Sequence, residues 1–266
     1  MTLNLFDRRA LLFLPASNPR AIAKARASDA DLVVLDLEDA VKDHDKDGAR
    51  AAAVEAVALP WPMPVAIRIN GTHSQWYEAD LDAVVDSNAD LVVLPLVESA
   101  SEIDRLEVLG RPVAAMIETA AGVLAAPAIA RKVAAVIVGT NDLAADLRLP
   151  AGAGRGPMQM ALQHVLLAAR AGEAAALDGV YNQIDDPDGF AAECAESRWL
   201  GFDGKSLIHP SQIAPCHAAF APSADEVAYA RRLVAAASGG AERFEGAMIE
   251  EMHVFAAREL IDRAER

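Results

Sequence analysis

Eight short apolar runs, each followed by a stretch of helical period, leave few folds open to this chain. They are LLFLP (11–15), LVVLD (32–36), VAIRIN (65–70), LVVLPL (91–96), VAAMIE (113–118), AAVIVG (134–139), AALDGV (175–180) and GFDGKSLI (201–208). Unbroken apolar runs of this length suit strands buried on both faces, as in a parallel sheet covered by helices. Between them lie Ala-rich segments such as NPRAIAKARA, DKDGARAAAVEAVA, QWYEADLDAVVD and DPDGFAAECAES, several opening on an Asn, Asp or Ser cap. Eight βα units in roughly 200 residues predict a TIM barrel, with a doubly wound open sheet as the rival. After the eighth run there is no further strand pattern. Two helical stretches, SADEVAYARRLVAAAS and EEMHVFAARELIDRA, are joined by the linker SGGAERFEG. The expected organisation is a TIM-barrel catalytic domain over residues 1–215 and a C-terminal helical extension over 216–266. That extension is placed to cover the barrel mouth or a neighbouring subunit's site.

Composition narrows the partners. At 266 residues and 53% hydrophobic, the chain has material for one large core. It carries 39 acidic against 24 basic residues, a net charge of −15, so a polyanion is repelled and nucleic acid is not an expected partner. A small anionic ligand would need a metal ion or a positioned arginine beside it. Cys194 and Cys216 lie outside any His/Cys cluster, which gives neither a disulfide framework nor a structural zinc site. The N-terminal MTLNLFDRRA has no apolar signal region, and no run approaches the ~20 residues of a membrane span. A soluble cytoplasmic protein is the expectation.

In a parallel barrel the active site forms at the C-terminal ends of the strands. Those ends carry Asp36, Glu38 and Asp39 after the second run, Arg68 and Asn70 in the third, Glu118 after the fifth, and Thr140, Asn141 and Asp142 after the sixth. The seventh adds Asp178, the eighth Lys205 and His209. Acids gathered on one rim repel each other unless a cation sits among them. Oxygen donors without a Cys or His cluster point to Mg²⁺, or Mn²⁺ in its place, with Glu118 and Asp142 as the expected ligands. Arg68, set between apolar neighbours, is expected to point into the barrel and to need an anion, either substrate or a structural partner. Plainer roles compete: Asp142 as a helix cap, Glu118 as a first-turn acid on a helix dipole, Glu38 and Asp39 as solvated loop acids. The segment AGAGRG (151–156) lacks the spacing of a phosphate-binding turn and reads as a flexible loop.

VVLDLEDAV followed by KDGAR, then VAIRING, LVVLPLVESA, MIETAAGVL, VIVGTNDLAADL, LDGVYNQIDDPDGF and GFDGKSLIHPSQI, all in one order, carry a specific likeness. Together they make the chain resemble the citrate lyase β-subunit-like family of the HpcH/HpaI aldolase superfamily. The resemblance implies a Mg²⁺-binding TIM barrel that cleaves or forms a C–C bond in a short hydroxy acid. The substrate would commonly be a coenzyme A thioester of the citryl-, malyl- or citramalyl-CoA type. An aldolase releasing pyruvate from free 4-hydroxy-2-oxo acids is the close alternative, and a non-catalytic subunit of a larger complex is the alternative of another class. Residue by residue, the likeness makes Glu118 and Asp142 metal ligands, with Glu118 also beside the substrate, and Arg68 the group that binds it. Glu38 and Asp39 become the acids that hold metal-bound waters and move the proton. A small anionic 2-oxo acid as ligand and a homotrimer or hexamer follow from the same likeness. Two departures stand out. Leu96 occupies a position where relatives carry lysine, and GAMIEEM puts Glu250 and Met252 where the family has an Asp and a Pro. The second departure argues against thioester hydrolysis and leaves coenzyme A dependence open.

Overall fold

A computed structural model of the protein describes residues 3–265 and divides the chain, between residues 219 and 220, into two compact units. The first unit alternates strands and helices in the order β1 (Ala10–Pro15), α1 (Pro19–Arg26), β2 (Leu32–Asp36), α2 (Lys46–Val57), β3 (Val65–Arg68), α3 (Tyr77–Val85), β4 (Leu91–Leu94) and α4 (Ala100–Asp104). It continues through β5 (Val113–Ile117), α5 (Ala120–Ile129), β6 (Ala135–Val138), α6 (Thr140–Asp146), α7 (Gln159–Ala171), β7 (Ala175–Asp178), α8 (Pro187–Leu200) and β8 (Gly204–Leu207), and α9 (Ile213–Phe220) ends at the division. The strands pair in parallel in chain order, and β1 hydrogen-bonds to both β2 and β8. That closure makes the sheet a barrel and rules out the doubly wound alternative.

Several strands stop one or two residues short of the apolar runs that predict them. Asn70, Leu96, Glu118 and Gly139 consequently fall in the turns just beyond the sheet rather than in it. Alternation then decides which polar residues face inward. Leu11, Val34, Ala66, Val93, Ala114, Met116, Ile137 and Leu177 fill the interior. A fully buried aliphatic side chain contributes about 1.5–3 kcal/mol, so this parity is strongly enforced. Residues two positions on from Val34, Ala66 and Met116 are Asp36, Arg68 and Glu118, which share the inner face at the top of the barrel. Asp178 follows inward-facing Leu177 and therefore faces outward, as does Lys205, its register partner on β8. The expectation that both belong to the rim is corrected by this one-residue offset.

The second unit contains α10 (Ala224–Ala236), β9 (Glu242–Phe244), β10 (Ala247–Ile249) and α11 (Glu251–Glu265). Ser223 and Glu226 close a reciprocal capping box at the start of α10. Ala230, Leu233, Ile249 and Ala257 form its small core. The helical extension expected here is present as α10 and α11, and the linker between them, where no strand is expected, folds as a hairpin. Glu245 and Gly246 form its two-residue turn with φ of 45° and 90°, the conformation whose twist suits a tight β-hairpin. Among the described residues no helix is long and apolar enough to cross a membrane.

Candidate active site

A cavity of about 350 Å³ opens where the strands of the barrel end, lined among others by Phe13, Asp39, Arg68, Glu118 and Asp142. Glu118 follows β5, is 2% exposed, and owes its place to two neighbours. Gly139, just past β6, lies so close that a Cβ there would stand 2.0 Å from Glu118 Oε2, so only glycine leaves the carboxylate room. Leu96, held at φ 53°, donates its N–H to Glu118 Oε1 at 2.6 Å. A non-glycine residue in that left-handed region costs roughly 1–2 kcal/mol, a strain of the kind found at functional sites. Oε2 is buried with no hydrogen-bond donor. Burial pushes the Glu118 carboxyl up to about 8; the Leu96 N–H pulls against that shift and the nearby Asp142 adds to it.

Asp142 sits in the first turn of α6, half-buried, and lines the same cavity as Glu118. Burial raises its carboxyl, and the charge of Asp39 raises it further. The plainer roles for this pair do not apply. Gly139 occupies the cap position of α6, and α5 is capped by Thr119, whose side chain accepts from Gly122 N, leaving Glu118 outside that helix.

Arg68 reaches the same cavity from β3. Asp36, its register partner on β2, grips it through both oxygens, with Nε at 2.6 Å and Nη2 at 2.5 Å. Nη1 lies 2.9 Å from Glu38 Oε2, and the guanidinium stands 5.5 Å from the Phe13 ring centroid. Burial works against the charge, but Asp36 and then Glu38 more than offset it, so the arginine pKa rises. Asp36 also accepts from the backbone N–H groups of Glu38 and Ala40, which ties the acidic loop to the arginine. Glu38 is not a solvated loop acid, since its side chain is 13% exposed. Burial lifts its carboxyl to about 7, partly offset by Arg68 and reinforced by Asp39 and Asp36. From below, Lys46 holds the loop by donating to the Leu37 and Glu38 carbonyls and to Asn70 Oδ1, at 2.7–2.8 Å. Asn70 in turn donates to Asp80, so it belongs to this scaffold and not to the cavity wall.

Among the described residues no group of three or more His, Cys, Asp or Glu could by itself cage a metal. What the cavity offers is two crowded carboxyls, one with a donorless buried oxygen. That donor set fits Mg²⁺, which keeps water and substrate in the rest of its shell. A model of the family "HpcH/HpaI aldolase/citrate lyase" matches residues 9–210. The chain belongs to this family. A (3S)-malyl-CoA thioesterase of Cereibacter sphaeroides (strain ATCC 17029 / ATH 2.4.9) is 38% identical over 270 residues, 97% of this chain and 94% of that one. Citrate lyase subunit beta of Escherichia coli (strain K12) is 34% identical, covering 97% and 93%. Among solved structures, CitE of Mycobacterium tuberculosis in complex with magnesium, acetoacetate and coenzyme A superposes with a TM-score of 0.88 at 35% identity, covering 98% of this chain and all of that one. The citrate lyase beta subunit of M. tuberculosis complexed with oxaloacetate and magnesium gives a TM-score of 0.76 at 35% identity over 83% of this chain and all of that one.

In this HpcH/HpaI family member the remaining rim candidates divide. Thr140 and Asn141 line the cavity. His209 instead caps the short turn at 210–212, accepting from Ser211 N. Asp178 and Lys205 pair at 2.9 Å outside the barrel wall, where Lys205 also reaches Glu193 and Asp178 accepts from Ser197. Arg155 of the glycine-rich segment joins them with two bonds to Asp178, at 2.7 and 3.0 Å, so that segment is anchored where a flexible loop is expected. Glu250 lies exposed in the second unit. Gly139 is the residue that sequence reasoning misses, and Asp36, read as one of the rim acids, proves to be the partner of Arg68. Cross-strand pairing with Arg68 would have separated Asp36 from its acidic neighbours, whereas nothing in GTND alone reveals that Gly139 makes room for Glu118.

Proposed function

We propose that this chain is a Mg²⁺-dependent carbon–carbon lyase that cleaves or forms a citryl-, malyl- or citramalyl-CoA-type hydroxyacyl thioester. The observation that carries the reading is the buried, donorless Oε2 of Glu118 beside Asp142 in the cavity that Arg68 also lines. The magnesium complexes of CitE with acetoacetate and coenzyme A, and of its relative with oxaloacetate, support it. Glu118 and Asp142 would hold the ion, which supplies Lewis-acid polarisation and a template for the carboxylate and adjacent oxygen of a 2-oxo acid. Mn²⁺ would substitute.

In the cleavage direction the hydroxyl O–H bond and the bond from the carbinol carbon to the thioester α-carbon break. A carbonyl forms on the acid fragment, and the electron pair passes to the α-carbon, which takes up a proton. Asp39 lines the cavity; Glu38, which is not among the lining residues but holds Arg68 and has its carboxyl near 7, would assist it in taking the hydroxyl proton at neutral pH. Arg68, kept charged and oriented by Asp36, balances the negative charge of the acid fragment or the enolate. Its loss would cost about 3 kcal/mol by comparison with a lost oxyanion donor.

A second reading, thioester hydrolysis, is favoured by the malyl-CoA thioesterases at up to 38% identity, notwithstanding Glu250 and Met252. One assay separates the readings. Malyl-CoA supplied to the purified protein with Mg²⁺ yields glyoxylate and acetyl-CoA by C–C cleavage, but malate and free coenzyme A thiol by hydrolysis. Pyruvate released only from free 4-hydroxy-2-oxo acids would favour the aldolase. No turnover across the panel would favour a non-catalytic subunit. Within the same proposal the chain is cytoplasmic and assembles as a homotrimer or hexamer, the second unit closing a neighbour's cavity. The exposed Met248, Met252 and Phe255 of that unit supply apolar surface for it.

A further inference from the structure

The sheet joins the two ligand-bearing segments only as far as Ile117 and Val138, with Gly139 N donating to Ile117 O one step further on. Beyond that point Glu118 enters the turn to α5 and Asp142 rides on α6. Glu118 is fixed from two sides by Leu96 and Gly139, as described above. α6 is short, with seven residues and no side-chain cap; Leu143 is buried and Asn141 pairs with Asn182 near its start, but its C-terminal end is exposed and runs into the glycine-rich segment. A helix this short owes its stability to tertiary contacts, and those at its C-terminal end are few. Asp146 supplies a tie. It lies four residues after Asp142, one helical turn along on the same side, and its Oδ2 accepts the N–H of Ala120 at 2.7 Å. Ala120 is the first residue of α5, two positions after Glu118, and its N–H is one of the donors that a helix start leaves without an internal partner. Thr119 satisfies Gly122 instead. The carboxylate that caps α5 thus comes from the helix carrying the other ligand.

We infer that Asp146 is a positioning residue that fixes the separation of Glu118 and Asp142 and so sets the affinity for the divalent ion. The inference rests on the reading of that pair as Mg²⁺ ligands. Calorimetric titration of Mg²⁺ into the full-length protein tests it, comparing wild type with Asp146→Ala and Asp146→Asn. Alanine removes the acceptor, whereas asparagine keeps an acceptor oxygen and drops the charge. Alanine should weaken Mg²⁺ binding roughly five- to tenfold, the lower end of what outer-shell contacts are worth. Because Asp146 is exposed, the metal-free melting temperature should fall by no more than about 2 °C. Asparagine should bind within twofold of wild type. Equal affinity for wild type and alanine would overturn the inference, and asparagine as weak as alanine would assign the effect to charge and overturn it as well. Absence of Mg²⁺ binding by wild type would instead refute the ligand assignment itself, and this inference with it.

Discussion

Glu118 has little freedom, held between the Leu96 N–H and the Gly139 backbone. Replacing Gly139 by alanine would drive a methyl group into the Glu118 carboxylate. Overpacking of this kind costs about 1–3 kcal/mol, and the expected result is a folded protein whose melting temperature no longer rises with Mg²⁺. An undiminished Mg²⁺-dependent rise would show that Glu118 does not hold the ion. Asp36→Ala leaves Arg68, which is 8% exposed, with Glu38 as its remaining carboxylate partner, and breaking a buried pair costs about 3–5 kcal/mol. Denaturant unfolding should register that loss, and lyase turnover should fall with it. That Glu118, Asp142 and Arg68 line one cavity is legible in the sequence because each lies within or just after an apolar run that ends at the same rim. The pairing of Asp36 with Arg68 is hidden by the density of acids around it, and Gly139 because a missing Cβ matters only against a neighbour on another strand.

At the scale of elements, the eight strands are readable because burial on both faces demands unbroken apolar runs, but their inward and outward parity at the rim is not. Asp178 shows the consequence. It looks like a rim acid, yet it faces α8 and serves as the hub of Arg155, Lys205 and Ser197. Burial opposes its charge, but Lys205 and then Arg155 overcome that and lower its carboxyl to about 2. A carboxyl depressed in this way stabilises the fold fully above the unfolded value near 4, and that contribution is lost as pH falls towards 2. Arg155→Met should therefore be less stable than wild type at pH 7 and lose less stability between pH 4 and 2. Parallel acid slopes in urea unfolding would contradict the role given to Arg155. The β9–β10 hairpin escapes sequence reading for another reason: three-residue strands are too short to show a period.

For the whole molecule, the division between a barrel and a C-terminal unit follows from the exhaustion of strand pattern after the eighth run. What the second unit covers is not written in one chain's periodicity. If it closes a neighbour's cavity in a homotrimer, light scattering should give a mass near three times 28.1 kDa. The paired change Met252→Asp and Phe255→Asp, on the exposed apolar surface of α11, should then move that mass towards a single chain and reduce turnover. A trimer unaffected by the change would place the contact elsewhere. In the proposed site Glu118 and Asp142 together hold a hard dication beside Arg68. The most direct test of this is anomalous diffraction from a crystal soaked with Mn²⁺ and oxaloacetate. A single anomalous peak within about 2.0–2.3 Å of one oxygen from each carboxylate, with the acid turned towards Arg68, is the predicted result. A peak that contacts neither residue, or two carboxylates left bare at saturating metal, would contradict it.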